Sequence, residues 1–144
     1  MLWFNNQGEE AANLYLSIFK GGEIKSISRN PDGAAVIVNF DLLNQSYIAL
    51  NGGPLFQFNE SFSIFVTCDG QSEVDEYWNA FIASGGTEGN CGWLKDKFGL
   101  SWQIIPKQLS EALSNPDPIK AKRVHEAMMK MKKIVISELT EAVI

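Results

Sequence analysis

The sequence predicts an α+β protein made of two βαβββ repeats and a helical C-terminal extension. Short runs of β-forming residues surround two stretches whose apolar residues have helical spacing. Each of these helices ends at a Gly-Gly pair, Gly21-Gly22 and Gly85-Gly86. Tyr15 and Tyr77 occupy corresponding positions in the two helices. This similarity between the halves indicates an internal repeat.

The first half reads strand, helix, strand, strand, strand. We expect strands over 2–4, 23–29, 35–42 and 46–50, and a helix whose apolar face is Ala11, Leu14, Tyr15 and Ile18. Glu9 and Glu10 suit the first turn of that helix, because carboxylates are favourable at a helix N-terminus. Turns are predicted at 30–33, which is Asn-Pro-Asp-Gly, and at 43–45, which is Leu-Asn-Gln.

The second half begins in the same order. A strand is expected over 62–68, and a helix should start in a capping box at Ser72–Asp75. The apolar stripe of this helix is Val74, Tyr77, Trp78, Phe81 and Ile82. Strands follow over 93–96 and 100–105. Little room remains for a strand between Gly86 and Trp93, so we expect a shortened second repeat.

The tail is helical. A short helix is expected over 109–113, and a second one begins with Asp117 as N-cap and Pro118 in the first position. Val124, Ala127, Met128 and Met131 share one face of that second helix. Residues 137–144 suit one or two final helical turns. We divide the chain into a first repeat (1–54), a second repeat (55–106) and the extension (107–144), within one compact domain.

Charge and composition exclude several classes of protein. Residues 1–119 carry 6 Lys/Arg against 14 Asp/Glu, whereas residues 120–133 carry six basic residues and only one acid. An acidic body argues against general nucleic-acid binding, and we interpret the basic stretch as a solvated helix face. No apolar run is long enough for a membrane span, and we expect no secretory signal, because the first residues lack a basic segment followed by an apolar one. Cys68 and Cys91 do not form a disulfide scaffold or a zinc pair, so we expect a cytoplasmic protein with reduced thiols.

Several strings make the likeness to a known family specific. They are Leu2-Trp3-Phe4, Glu9–Ala12, Ala49–Pro54, Phe56–Glu60, Cys91–Gly99 and Ser101–Pro106. Together they resemble the PhnB-like family, whose members are often labelled 3-demethylubiquinone-9 3-methyltransferase. This family belongs to the vicinal oxygen chelate superfamily of glyoxalases, bleomycin-resistance proteins and extradiol dioxygenases. The resemblance runs over nearly the whole chain.

The resemblance implies curved mixed sheets, each forming a cup with helices outside, and a homodimer. The face of Met128 and Met131 is a candidate for the dimer contact. The methyltransferase label has little support in the residues. A methyl-donor site usually needs a glycine-rich turn from strand to helix, whereas Gly85–Gly89 follow a helix.

The superfamily's metal ligands are His and Glu side chains on strands. Motif by motif, the likeness puts Ser63 and Gln103 at two of these positions, Met1 at a third, and Tyr47 or Ala49 at the fourth. These side chains do not provide the imidazole and carboxylate ligands that a divalent metal prefers. We therefore predict no metal and no other cofactor.

Strand alternation assigns residues to the cup. Ser63 and Gln103 fall on the polar faces of their strands, opposite apolar faces that should pack under a helix. We predict nine ligand-binding residues: Trp3, Asn39, Asp41, Tyr47, Ser63, Phe65, Cys91, Trp93 and Gln103. No catalytic residue is identified.

For Asp41, Cys91 and His125 we weigh a chemical role against a structural or solvated one. Asp41 is either a general base or a solvated carboxylate. Cys91 is either a reactive thiol or a packed one, and it needs a neighbouring cation such as Lys95 or Lys97 to be reactive. His125, the only histidine, has no partner for a triad or a metal site and suits a solvated or packed helix position. Asp96 is expected to stabilise the turn before the last strand.

These observations favour metal-free binding of a small planar or apolar molecule in an aromatic cup. A glyoxalase-like lyase or isomerase acting on a small metabolite is the alternative, and a purely structural or regulatory dimer is a third. An enzyme requires converging polar groups, whereas a binding protein requires only shape and aromatic surface.

Overall fold

Each half of the chain forms its own four-stranded mixed sheet, in the computed structural model that describes all 144 residues. The chain divides into a first unit, Met1–Asn59, and a second unit, Glu60–Ile144. In both sheets the first strand pairs in parallel with the last, and the remaining pairs are antiparallel. This arrangement confirms the α+β class and the two βαβββ repeats.

The first unit contains β1 (Leu2–Phe4), α1 (Gly8–Ile18), β2 (Glu23–Arg29), β3 (Ala35–Leu42) and β4 (Gln45–Asn51). The strand order is β1-β4-β3-β2. Helix α1 packs on β3 and β4, and the core between them contains Ala11, Ala12, Tyr15, Val38, Phe40 and Ala49. The Asn51 side chain links these elements, because it accepts from the Gly8 N–H (2.7 Å) and donates to the Ala35 carbonyl (2.9 Å).

The second unit contains β5 (Ser63–Cys68), α2 (Gln71–Ala83), β6 (Thr87–Glu88), β7 (Trp93–Lys95) and β8 (Ser101–Pro106). The strand order is β5-β8-β7-β6. Ile64, Val66, Trp102 and Ile104 are buried, as strand alternation predicts. The Phe81 ring of α2 lies 4.9 Å from the Trp102 ring. This contact places α2 against one face of the sheet, and the opposite face contains the site described below.

Three helices complete the second unit: α3 (Lys107–Leu113), α4 (Pro118–Met128) and α5 (Ile136–Ala142). As predicted, Asp117 caps α4; its Oδ1 accepts from the backbone N–H of Ile119 at 2.9 Å. The three helices and β8 share one apolar cluster: Ile105, Leu109, Val124, Met131, Ile134 and Leu139. Met131 is therefore buried in its own unit and is not available for the dimer contact that we expected from it.

Two expectations about the second repeat are wrong. A strand does form between Gly86 and Trp93, because β6 needs only two residues to pair with β7. Helix α2 begins at Gln71 instead of in a capping box at Ser72, since Gly70 is the N-cap and uses no side chain. The carboxylate of Glu73 still reaches back and accepts from the Asp69 N–H at 2.8 Å, which satisfies a backbone donor near the helix start.

No helix combines the length and the low polarity that crossing a membrane requires.

Candidate functional site

A cavity of about 510 Å³ lies in the second unit, beside β7 and the start of β8. Its volume is within the usual range for small-molecule sites. The cavity is lined by Glu60, Thr87, Glu88, Gly89, Asn90, Cys91, Trp93, Leu94, Lys95 and Ser101. Two of these, Cys91 and Trp93, are among the nine predicted ligand-binding residues.

One row of paired residues carries hydroxyl groups and an ammonium group across all four strands. Thr87 pairs with Lys95, Lys95 with Ser101, and Ser101 with Ser63. Directly paired residues share a sheet face. Because Ser101 precedes Trp102, whose ring packs on α2, the row lies on the opposite face. The sheet face opposite α2 therefore carries a continuous row of side chains that can donate hydrogen bonds.

The next row on the same face is aromatic. Trp93 pairs with Gln103, and Gln103 pairs with Phe65. The Gln103 amide Nε2 donates to Ser63 Oγ at 3.0 Å, which joins the aromatic row to the polar one. Phe65 is 53% exposed. Ser63, Phe65 and Gln103 thus lie beside the cavity on the same sheet face, but they do not line it.

The Ser101 hydroxyl is the most unusual group at the cavity. Ser101 is 1% exposed, and its Oγ has no hydrogen-bond partner. A buried hydroxyl without a partner costs free energy, because it has lost its hydrogen bonds to water. Such a group at a cavity wall would gain a hydrogen bond from a ligand that reaches it.

Two ion pairs lie at the cavity. The Lys95 ammonium contacts the Glu60 carboxylate, and the hydrogen bond from Lys95 is the main reason why the pKa of Glu60 is below its usual value. On the other side, Lys132 Nζ lies 3.6 Å from Glu88 Oε2. Both carboxylates are therefore neutralised by lysines of the same unit.

The connection from β6 to β7 is a rigid wall of the cavity. Cys91 and Gly92 both have a positive φ, 57° and 84°. Their N–H groups donate to the carbonyls of Met131 (2.8 Å) and Lys132 (2.7 Å). The positive φ of Gly92 favours glycine, and a Cβ at this position would also lie 3.1 Å from the Ile104 carbonyl oxygen. The C-terminal extension thereby holds the cavity wall in place.

The two thiols have different surroundings. Cys68 is fully buried on β5, and burial raises its pKa to about 12. Cys91 is half-buried, and its Sγ lies 3.7 Å from Met129 Sδ. Both cysteines are free.

Asp96 has the structural role that the sequence predicted. It is 4% exposed; its Oδ1 accepts from the N–H groups of Phe98 (2.9 Å) and Leu100 (3.0 Å), and its Oδ2 accepts from Trp102 Nε1 (3.0 Å). The carboxylate thus holds the β7–β8 turn closed and anchors the largest aromatic ring of the core.

The other predicted site residues lie in the first unit. Asn39 and Asp41 share a face of β3 and border a pocket of about 370 Å³. Asp41 accepts from Ser46 Oγ at 2.8 Å and lies 3.3 Å from Lys25 Nζ; these two contacts, Ser46 first, lower its pKa. A carboxylate with a lowered pKa is a weak base, so this geometry favours the solvated role over the general base.

Tyr47 and Trp3 are differently placed. Tyr47 borders the same pocket, but it pairs with Phe40 on the opposite sheet face, and the two rings stack with centroids 5.5 Å apart. The Trp3 indole N–H donates to the Gly53 carbonyl (3.0 Å), and its ring meets Phe56 edge-on. A Cβ at Gly52 would collide with the Trp3 ring, so this loop packs closely over Trp3.

The residues at the superfamily's metal positions do not fit a metal. Ser63 and Gln103 are hydrogen-bonded to each other, and Met1, Tyr47 and Ala49 provide neither imidazole nor carboxylate. His125 is exposed on α4. Across the 144 residues, no three His, Cys, Asp or Glu side chains group in a way that would hold a metal ion.

The nine predicted residues leave out Glu60, Thr87, Lys95 and Ser101, although strand alternation assigns Ser101 to the same polar face as Gln103. Lys95 lies two residues after Trp93, so strand alternation could have placed both on one face. Thr87 was missed together with β6. Glu60 reaches Lys95 from outside the strands, a contact that no periodic pattern indicates.

Comparisons with known proteins identify the family. The family described as 3-demethylubiquinone-9 3-methyltransferase matches residues 1–105. The PhnB protein of Bacillus cereus is 31% identical, with a TM-score of 0.67 over 73% of this chain and 95% of that one. Protein PA1353 of Pseudomonas aeruginosa shares the fold at 21% identity, with a TM-score of 0.56 over 70% of this chain and 90% of that one.

No curated protein matches the chain. The family match and the likeness to the Bacillus protein agree with the mixed sheets and with the strings that first indicated the resemblance. The chain therefore belongs to the PhnB-like family described as 3-demethylubiquinone-9 3-methyltransferase.

Proposed function

We propose that this protein binds a small planar molecule without a metal, in the cavity of its second unit. The observation that carries the proposal is a 510 Å³ cavity that combines the Trp93 ring with the buried, unpartnered Ser101 hydroxyl. An aromatic ring provides contact area for a planar ligand, and a single hydroxyl fixes the ligand's orientation. Phe65 and Gln103 extend the surface along the same sheet face.

A glyoxalase-like lyase or isomerase is the alternative. Such a reaction needs a base that removes a proton near neutral pH. Glu60 is a carboxylate at the cavity, but Lys95 lowers its pKa and makes it a weaker base. This electrostatic environment favours binding over proton transfer.

Methyl transfer is not supported by the arrangement of elements. The turns from β1 to α1 and from β5 to α2 contain no glycine-rich phosphate or methyl-donor loop, and Gly85–Gly89 follow α2. We therefore do not assign methyltransferase activity to this chain on the basis of the family's label.

A homodimer and a cytoplasmic location are part of the same proposal. The edge strand β2 is largely exposed, which leaves its backbone available for pairing with a second copy. Light scattering at several concentrations tests the dimer: a mass near 16.0 kDa throughout would contradict it.

Calorimetric titration with 2-naphthol, a neutral planar probe, tests the binding proposal on chelator-treated protein. We expect saturable binding that Trp93→Leu weakens at least about tenfold. Trp3→Leu is the matched control, because it removes the same ring from the other unit and should leave the affinity unchanged. Binding that depends on added metal, or that is equally weak in both variants, would refute the proposal.

A further inference from the structure

The polar groups of the cavity indicate which chemical class of ligand it takes, and this inference rests on the proposed function. The row on the sheet face presents the Thr87 hydroxyl, the Lys95 ammonium and the Ser101 hydroxyl side by side. All three groups can donate hydrogen bonds; the two hydroxyls can also accept them, whereas the Lys95 ammonium only donates and is positively charged. Such a row matches an oxygen anion better than an amine.

The protein itself places an oxygen anion at this position. The Glu60 carboxylate contacts the Lys95 ammonium from the segment that precedes β5. Its side chain is 63% exposed, whereas Ser101, which pairs directly with Lys95, is 1% exposed. Glu60 therefore binds Lys95 from the solvent side, and the buried hydroxyl beside Lys95 stays without a partner.

A ligand could satisfy both groups at once. An exposed ion pair contributes little stability, because water screens the charges and both side chains are mobile. An anion held by Lys95 and also by the Ser101 hydroxyl gains a hydrogen bond in a water-poor position, where such bonds are stronger. This additional hydrogen bond is the interaction that favours the ligand over Glu60.

We propose that the cavity binds a planar molecule carrying an oxyanion, which displaces Glu60 from Lys95 and accepts a hydrogen bond from Ser101. The planar body then lies against Trp93, which is two residues before Lys95 on β7 and therefore on the same face. Glu60 acts as an internal competitor that keeps Lys95 neutralised until the ligand arrives.

A series of probes that share one planar body and differ in the polar group tests the inference. The probes are 2-naphthoate, 2-naphthyl phosphate, 2-naphthamide and 2-naphthylmethylamine, titrated by calorimetry into chelator-treated protein. The first two separate a carboxylate source of the anion from a phosphate source. We expect at least one of these two to bind about tenfold more tightly than the amide, and the amine to bind most weakly.

Two substitutions in the cavity should change the affinity for the anionic probes in opposite directions. Glu60→Gln removes the competitor and should tighten binding of the anion severalfold, whereas Lys95→Gln should weaken it about tenfold or more. Glu111→Gln on α3 and Lys107→Gln are the matched controls, because they change the same charges outside the cavity. Both should leave the affinity unchanged.

Three results would overturn the inference. Equal affinity for the amide and the anions would refute the preference for an oxyanion, and so would weaker anion binding in Glu60→Gln. Either result would still be consistent with a cavity that binds planar molecules. Tightest binding of the amine would assign the cavity to cations through Glu60 and Glu88. If none of the four probes and no 2-naphthol binds, the proposed function itself fails.

Discussion

Replacing Ser101 with alanine should stabilise the ligand-free protein, which is the opposite of the usual effect of a buried substitution. The hydroxyl is 1% exposed and has no partner, so its removal breaks no hydrogen bond. Burying an unsatisfied hydroxyl costs about 1–3 kcal/mol. Taking the lower end of that range, we expect Ser101→Ala to raise the free energy of unfolding by about 1 kcal/mol, or the Tm by about 3 °C.

Ser63 provides the matched control, because it pairs with Ser101 on the same face of the sheet. Its hydroxyl accepts a hydrogen bond from Gln103 Nε2 at 3.0 Å. Ser63→Ala leaves that amide without its partner and should lower the free energy of unfolding by about 1 kcal/mol. The two substitutions remove the same atom and should act with opposite signs.

Urea unfolding followed by tryptophan fluorescence measures both effects. Trp78, Trp93 and Trp102 all lie in the second unit, so the signal reports mainly on the unit that contains both serines. The reasoning is refuted if Ser101→Ala destabilises the protein as much as Ser63→Ala does. That result would mean that the Ser101 hydroxyl has a partner in solution and is not available to a ligand.

Three further predictions follow from the structure. Asp96→Ala should lower the free energy of unfolding by roughly 3–5 kcal/mol in the same urea assay, because three donors lose a charged acceptor; a loss below about 1 kcal/mol would contradict this role. A thiol reagent should modify Cys91 in the folded protein and Cys68 only after denaturation, since Cys68 is buried with a raised pKa; two fast equivalents in the native protein would be inconsistent with the fold. Acid should also destabilise the protein, because four carboxyls have a lowered pKa in the folded state: Glu9, Asp41, Glu60 and Asp75. Their stabilisation is present above the unfolded-state values near pH 4 and is lost as the pH falls through the lower folded-state values, so a urea midpoint that stays constant from pH 7 to 2.5 would contradict it.

Much of the fold follows from local patterns in the sequence. The bounds of β1, β2 and β3 are as predicted, since turn residues follow β2 and β3 and β1 is a run of three apolar residues that ends at Asn5-Asn6. The N-cap of α4 is also as predicted, because Asp117-Pro118 satisfies backbone donors locally. In contrast, β6 has only two residues, too few to show any period, and its strand character depends on pairing with β7.

Fewer of the cavity residues than of the secondary-structure elements can be predicted from the sequence. Trp93 and Cys91 are predicted at the cup and line the cavity, whereas Lys95 is considered only as a cation beside Cys91, and Ser101 is placed on the polar strand face without being named as a site residue. Alternation places Lys95 and Ser101 on a face, but it does not show that the Ser101 hydroxyl lacks a partner, because that depends on the packing around it. The contact between Glu60 and Lys95 similarly depends on the path of the chain before β5.

Chemical-shift mapping of the ¹⁵N-labelled, chelator-treated protein with 2-naphthoate tests the central claim most directly. The account predicts saturable shifts that concentrate in residues 87–95 and at Ser101, including the Trp93 indole N–H. Shifts confined to other segments, or no shift until a divalent metal is added, would contradict a metal-free binding site in the second unit.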